Sequence, residues 1–233
     1  MRLNRFLASA GLGSRRSCEA LVFSGAVSIN GKRIQNLATQ VADGDDVRVN
    51  GRAVRTAAKT AVLFNKPRHF TTTRSDERGR RTIYDILPAE FSTLFHVGRL
   101  DRESEGLLLL TNDGDLAQRL THPSHRIEKE YEVELDKPFD PAHAAKLLRG
   151  FHIEGGKARF ESLRQTGPNR IRVVLRQGLK RQIRLMLYDR GYEVERLRRT
   201  RIGRITDHKL PPGAWRHLTK KELDQLREKP AAE

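Results

Sequence analysis

Cysteine is almost absent from this sequence. Cys18 is alone in 233 residues, so neither a disulfide framework nor a multi-cysteine zinc site can be built. Long apolar runs are missing too: the longest, Leu107–Leu110, is far too short to span a bilayer, and no membrane association is expected. The first stretch, MRLNRFLASAGLG, has no acid before Glu19 and faintly imitates a targeting peptide. Asn4 and Arg5 interrupt its apolar residues, which argues against a secretory signal and for a cytoplasmic, reducing environment. No G-x-x-x-x-G-K-[ST] loop, dinucleotide fingerprint or G-x-S-x-G elbow occurs, so no nucleotide cofactor and no serine-hydrolase chemistry is expected. His96, Asp101 and Ser104 contain the residue types of a hydrolytic triad but lie too close in the chain. His122 and His125 lack a third ligand, so no metal site is expected.

Basic residues are abundant. Lys and Arg number 45 against 29 Asp and Glu, a formal charge of +16, and 33 of the basic residues are arginine. Guanidinium forks match phosphate oxygens and stack on bases, so this bias favours a nucleic-acid partner. The charge is concentrated: residues 1–55 hold nine basic and four acidic residues, and residues 176–204 hold ten and three. Two separated patches suit a ligand long enough to reach both, such as a folded RNA; the alternative is a solvated basic surface.

Local patterns divide the chain into residues 1–50, a linker at 51–58, and residues 59–233. In the first part, Leu3, Phe6, Leu7 and Ala10 form one helical stripe. Ser14 can cap a second helix that buries Cys18, Leu21 and Val22. Val27 and Ile29 alternate as a strand before Asn30-Gly31, a hairpin signal that recurs at Asn50-Gly51. Arg15 and Arg16 stand at the start of the second helix, where outward N–H groups also favour phosphate. In the second part, strands are expected at Ala61–Asn65, in the stretch to Leu110, at Lys129–Leu135, around Ile171–Leu175 and from Tyr192. Short helices are expected at Thr82–Leu87, Leu116–Leu120, from Asp140 to Gly150, and at Gln182–Asp189. The class is α+β with a mixed, largely antiparallel sheet, and Trp215 reads as a packed turn anchor.

RLNRFLASAGLGSRRSCEALVFSGAVSINGK resembles the S4 RNA-binding domain. That resemblance implies an RNA face along Arg5, Ser14, Arg15, Arg16 and Lys32. VGRLDRESEGLLLLTNDGDLAQRL, EKEYEVEL and RQGLKRQIRLMLYDRGYEVERLRRTRIG, in that order, resemble the pseudouridine synthases that act on ribosomal RNA. By itself Asp101 reads as a turn aspartate; the resemblance makes it the nucleophile of uridine isomerisation, a reaction that needs no cofactor. It further implies that Arg184 pairs with Asp101, with Arg181 as fallback, that Tyr131 lies against the target base, and that Arg99 displaces it. One departure stands out: His69 occupies a position where relatives commonly have glycine. The expected partner is ribosomal RNA, large-subunit in preference to small-subunit, and the chain is expected to act as a monomer. A tRNA-directed synthase and a non-catalytic ribosome-assembly factor are the alternatives.

Overall fold

The computed structural model describes residues 1–228, which form two compact units. The first comprises Met1–Thr60 together with Asn112–Gly114. It carries helices α1 (Leu3–Ser9) and α2 (Arg15–Phe23) and strands β1 (Val27–Ile29), β2 (Lys32–Ile34), β3 (Val47–Val49) and β4 (Arg52–Ala53). The strands form an antiparallel sheet in the order β2-β1-β3-β4. Leu3 and Leu7 of α1 and Cys18 and Val22 of α2 bury the expected stripes against Val27 and Val47. Ser14 Oγ caps α2 by accepting from Ser17 N at 3.1 Å. Both Asn-Gly pairs turn with positive φ at both residues, 50° and 78° at Asn30-Gly31 and 49° and 78° at Asn50-Gly51, as a tight hairpin requires. The second turn corrects the expected linker. Its strand β4 belongs to the sheet, and Val54 N still donates to Val47 O, so the connecting segment begins after Val54 rather than at residue 51.

The second unit contains β5 (Ala61–Lys66), β6 (Phe95–Val97), β7 (Glu105–Thr111), α3 (Gly114–Thr121, whose first residue falls in the first unit), β8 (Lys129–Leu135), α4 (Ala144–Arg149), β9 (Phe151–Ile153) and β10 (Gly156–Ala158). It continues with β11 (Ser162–Gly167), β12 (Arg170–Leu175), α5 (Gln182–Tyr188), β13 (Val194–Ile202), β14 (Ile205–Thr206), β15 (Trp215–His217) and α6 (Lys220–Arg227). Its main sheet runs β11-β12-β8-β13-β7-β5-β15, with β6 added to β7 and β14 to β13. Among the described residues, β13 with β7 is the one parallel pairing of this sheet.

The unbroken apolar run of β7 follows from burial on both faces. Leu107 and Leu109 join one core with Leu63, Leu116 and Ile202, and Leu108 and Leu110 join another with Val62, Phe64 and Phe91. In β8, by contrast, Tyr131, Val133 and Leu135 point into a third core. The glutamates between them face cross-strand arginines, Glu132 to Arg172 at 2.8 Å and Glu134 to Arg170 at 3.1 Å. Trp215 departs from its expected place: it sits in edge strand β15, opposite Phe64, with its ring edge-on to Phe91 at 4.5 Å. The expected helix at 82–87 is a single 3-10 turn, Ile83–Asp85, closed by a Thr82/Asp85 capping box.

Candidate active site

Asp101 lies in the loop that joins antiparallel strands β6 and β7. Five consecutive backbone carbonyls of that loop are held. Leu100 O accepts from Thr72 Oγ at 2.8 Å, and Arg102 O accepts from His69 N at 2.7 Å. Asp101 O accepts from Ser104 N at 3.0 Å and from Lys66 Nζ at 3.2 Å, and Lys66 Nζ also reaches Ser104 O at 2.7 Å. Glu103 O accepts a longer bond, 3.5 Å, from Arg184 Nη2. The loop's shape is thus set by residues 66–72 and α5, while the Asp101 side chain is left half-buried. No hydrogen bond or ion pair engages that carboxylate among the described residues.

Lys66 is fully buried at the end of β5. Burial pulls its pKa down to about 8, opposed by the negative charges of Asp101, Glu103 and Glu105. His69 holds φ at 71°, the left-handed conformation that glycine adopts freely. The loop therefore keeps a glycine-like backbone although histidine occupies the position.

Asp101 faces a cleft of about 330 Å³. It is the one carboxylate among the described residues of the lining, which also includes six cations: Arg99, Lys129, Arg176, Lys180, Arg181 and Arg199. Tyr131 belongs to both the cleft wall and the core; the residue is 8% exposed. Arg199 is buried beneath the cleft, with Nε donating to Leu107 O at 2.6 Å. Its Nη2 and the Oγ of buried Ser104 have no partner among the described residues. Lys129 is held at a pKa of about 8, first by burial and then by the charge of Arg199.

The expected pairing of Arg184 with Asp101 is not formed. Arg184 Nη1 donates to Val194 O at 2.7 Å and Nη2 to Glu103 O, so its guanidinium ties α5 to the Asp101 loop through the backbone. The two charges still sense each other. Burial and the like charge of Arg181 lower the Arg184 pKa, and Asp101 opposes them. Arg184 Nε is buried without a partner among the described residues. Arg181, the fallback, lines the cleft at the start of α5 in a left-handed conformation, φ 54°. Arg99 is exposed at the cleft.

In the first unit, Ser14, Arg15 and Arg16 lie together at the start of α2, with both arginines exposed. Arg5 is half-buried on α1, and Lys32 is exposed at the start of β2, on a separate element. Lys66, Ser104, Lys129 and Arg199 were missed as site residues. The available signals were the lysine closing an otherwise apolar strand at Asn65-Lys66-Pro67 and the Lys129 that precedes Tyr131 by two. No group of three or more His, Cys, Asp or Glu side chains among the described residues could hold a metal ion. No helix among them is long and apolar enough to cross a membrane.

A small helix-and-hairpin module is joined to a mixed-sheet domain whose cleft sets one carboxylate among cations. Comparison with known proteins identifies the family. Residues 60–189 match the RNA pseudouridylate synthase model and residues 1–47 the S4 domain model. A ribosomal large subunit pseudouridine synthase B from Vibrio cholerae is 41% identical, over 97% of this chain and 74% of that protein. An uncharacterized RNA pseudouridine synthase from Aquifex aeolicus is 36% identical, over 97% and 93%. A pseudouridylate synthase crystal structure superposes with a TM-score of 0.71 at 26% identity, covering 97% of this chain and 99% of that one. The chain belongs to the RNA pseudouridylate synthase family and is an isomerase with an S4 RNA-binding domain.

Proposed function

We propose that this synthase isomerises a specific uridine of large-subunit ribosomal RNA, with Asp101 as the nucleophile. The observation that carries the assignment of Asp101 is its isolation: a single carboxylate without a partner among the described residues, on a loop pinned at five carbonyls, in a cleft whose other charged residues are cations. Such a group is pre-aimed and free to react. In the reaction the N1–C1′ bond breaks, the uracil turns, and a C5–C1′ bond forms. The C5 hydrogen leaves as a proton and N1 gains one, so atoms and electrons balance without any cofactor. The carboxylate can carry the transfer as a covalent adduct to sugar or ring.

Arg184 acts by holding the loop and by placing positive charge near the carboxylate. Tyr131 supports the base from the cleft wall. Arg99 and Arg181 stand where an extruded nucleotide's neighbours would lie, and Arg99 can fill the gap left in the stack. Arg5, Ser14, Arg15, Arg16 and Lys32 contribute the S4-like RNA face. The 41% identity to a large-subunit synthase supports that rRNA as substrate.

Asp101→Asn tests the assignment. With large-subunit rRNA transcripts carrying tritium at uridine C5, the variant should release tritium at least about 10⁴-fold more slowly than wild type. It should retain RNA affinity within about threefold, because only one neutral-for-charged exchange is made in a cationic cleft. Tritium release undiminished by the substitution would remove Asp101 from the mechanism. Binding without any release by wild type, on any rRNA, would favour a non-catalytic assembly factor.

A further inference from the structure

Beside the cleft runs a second groove of about 580 Å³. Its walls come from the turn after α3, from β10 and the residues following it, and from the loop between β12 and α5. Thr121, Pro123 and the run Arg176–Leu179 line both spaces, so groove and cleft are continuous along one wall. The groove carries four cations, Arg126, Lys157, Arg159 and Arg176, against one acid, Glu161. Glu161 is already matched by Arg159 through two hydrogen bonds, 3.1 and 3.0 Å, and Arg176 pairs with Glu128 at 3.2 Å. Arg126 and Lys157 are different: both are exposed, and neither side chain has an ionic or hydrogen-bond partner among the described residues. Arg126 is fixed by a left-handed backbone, φ 47°, where it closes the turn Pro123–His125.

We propose that this groove binds the phosphodiester backbone of the RNA nucleotides adjoining the target uridine, with Arg126 and Lys157 each taking a phosphate. The assignment rests on the cleft being the site of uridine isomerisation. A nucleotide drawn out of its stack must be flanked by strand that the enzyme grips, and the groove is the continuation of the cleft that can do so. Backbone is the part recognised. The lining holds no aromatic ring on which a base could stack, whereas exposed point charges suit phosphate oxygens. The groove therefore contributes affinity and register, and base identity is read elsewhere.

The test is the double variant Arg126→Gln/Lys157→Gln in the full chain, beside Lys220→Gln/Lys221→Gln, which removes the same charge from exposed positions at the start of α6. Filter binding of an unmodified large-subunit rRNA transcript is measured from low to high salt. Two lost single-strand phosphate contacts should flatten the log–log salt slope by about 1.4 and weaken binding about tenfold near physiological salt. An unchanged slope, or an equal change in the control variant, would overturn the groove as a binding site. Because binding is read without catalysis, a wild-type protein that releases no tritium would defeat the proposed reaction while leaving the groove to be decided by the salt slope alone.

Discussion

Asp101 has its position dictated by its neighbours' carbonyls rather than by its own carboxylate. Lys66, His69 and Thr72 hold the backbone around it from one side and Arg184 from the other. The loop is thus fixed while the carboxylate oxygens have no partner among the described residues, which would lower the cost of bringing them to a substrate under the proposed role. His69 is the strained member of this set, since a non-glycine residue in the left-handed region costs roughly 1 kcal/mol. Its ring gives back only a contact with the Glu103 carboxylate at 3.4 Å, partly open to solvent. His69→Gly should accordingly raise the melting temperature by about 2–4 °C and leave turnover intact. A lower melting temperature would mean that the His69 side chain contributes more than its backbone costs.

At the scale of elements, the decisive contact is the parallel meeting of β13 with β7, where Arg199 lies opposite Gly106. Gly106 has φ 106°, and a Cβ there would come within 2.3 Å of Arg199 O and 2.6 Å of Arg199 N. Those atoms are backbone and cannot swing aside. Gly106→Ala should therefore destabilise the protein by about 3 kcal/mol or more, seen as a lower urea midpoint. Activity should fall as well, because β7 carries the Asp101 loop. A substitution tolerated within about 0.5 kcal/mol would show that the two strands can separate at no cost. The same crossing places the Arg199 guanidinium under the cleft, so the close approach that only glycine allows also builds the cationic floor.

Across the whole molecule, charge sets both partner and pH response. The formal +16 is too large to neutralise internally, and part of it is brought inside the second unit at Lys66, Lys129 and Arg199. Lys66 and Lys129 release their protons near pH 8 in the folded chain and near 10.4 when unfolded. Between those values the unfolded chain binds more protons, so their contribution to stability rises with pH over that window; below pH 8 the burial penalty is fully present. Lys129→Gln lacks its share of that penalty. The stability of wild type relative to Lys129→Gln should grow by about 2 kcal/mol between pH 7.5 and pH 10, measured by urea unfolding. A constant difference would show that the Lys129 charge is well solvated after all.

Patterns that close within a few residues were legible in the sequence. The stripe of α1, the Ser14 cap, both Asn-Gly turns, the strand that ends near Leu110 and the Asp101 turn depend only on residue pattern and local backbone preference. Polar edge strands such as Ser162–Gly167 carry no such period and were invisible. The partners of the site were equally hidden, because they depend on which carbonyl a long side chain meets after packing. Lys66 reaches across 35 residues to Asp101 O, and Arg199 across 92 to Leu107 O. Arg184 was expected on the Asp101 carboxylate and instead holds the backbone two residues further on. Residue types and short spacings determined the modules and the turn that carries Asp101; the pairing of β13 with β7 and the folding of residues 66–72 around the loop decided what surrounds it, since burial sets the partner of each charge only once the strands have met.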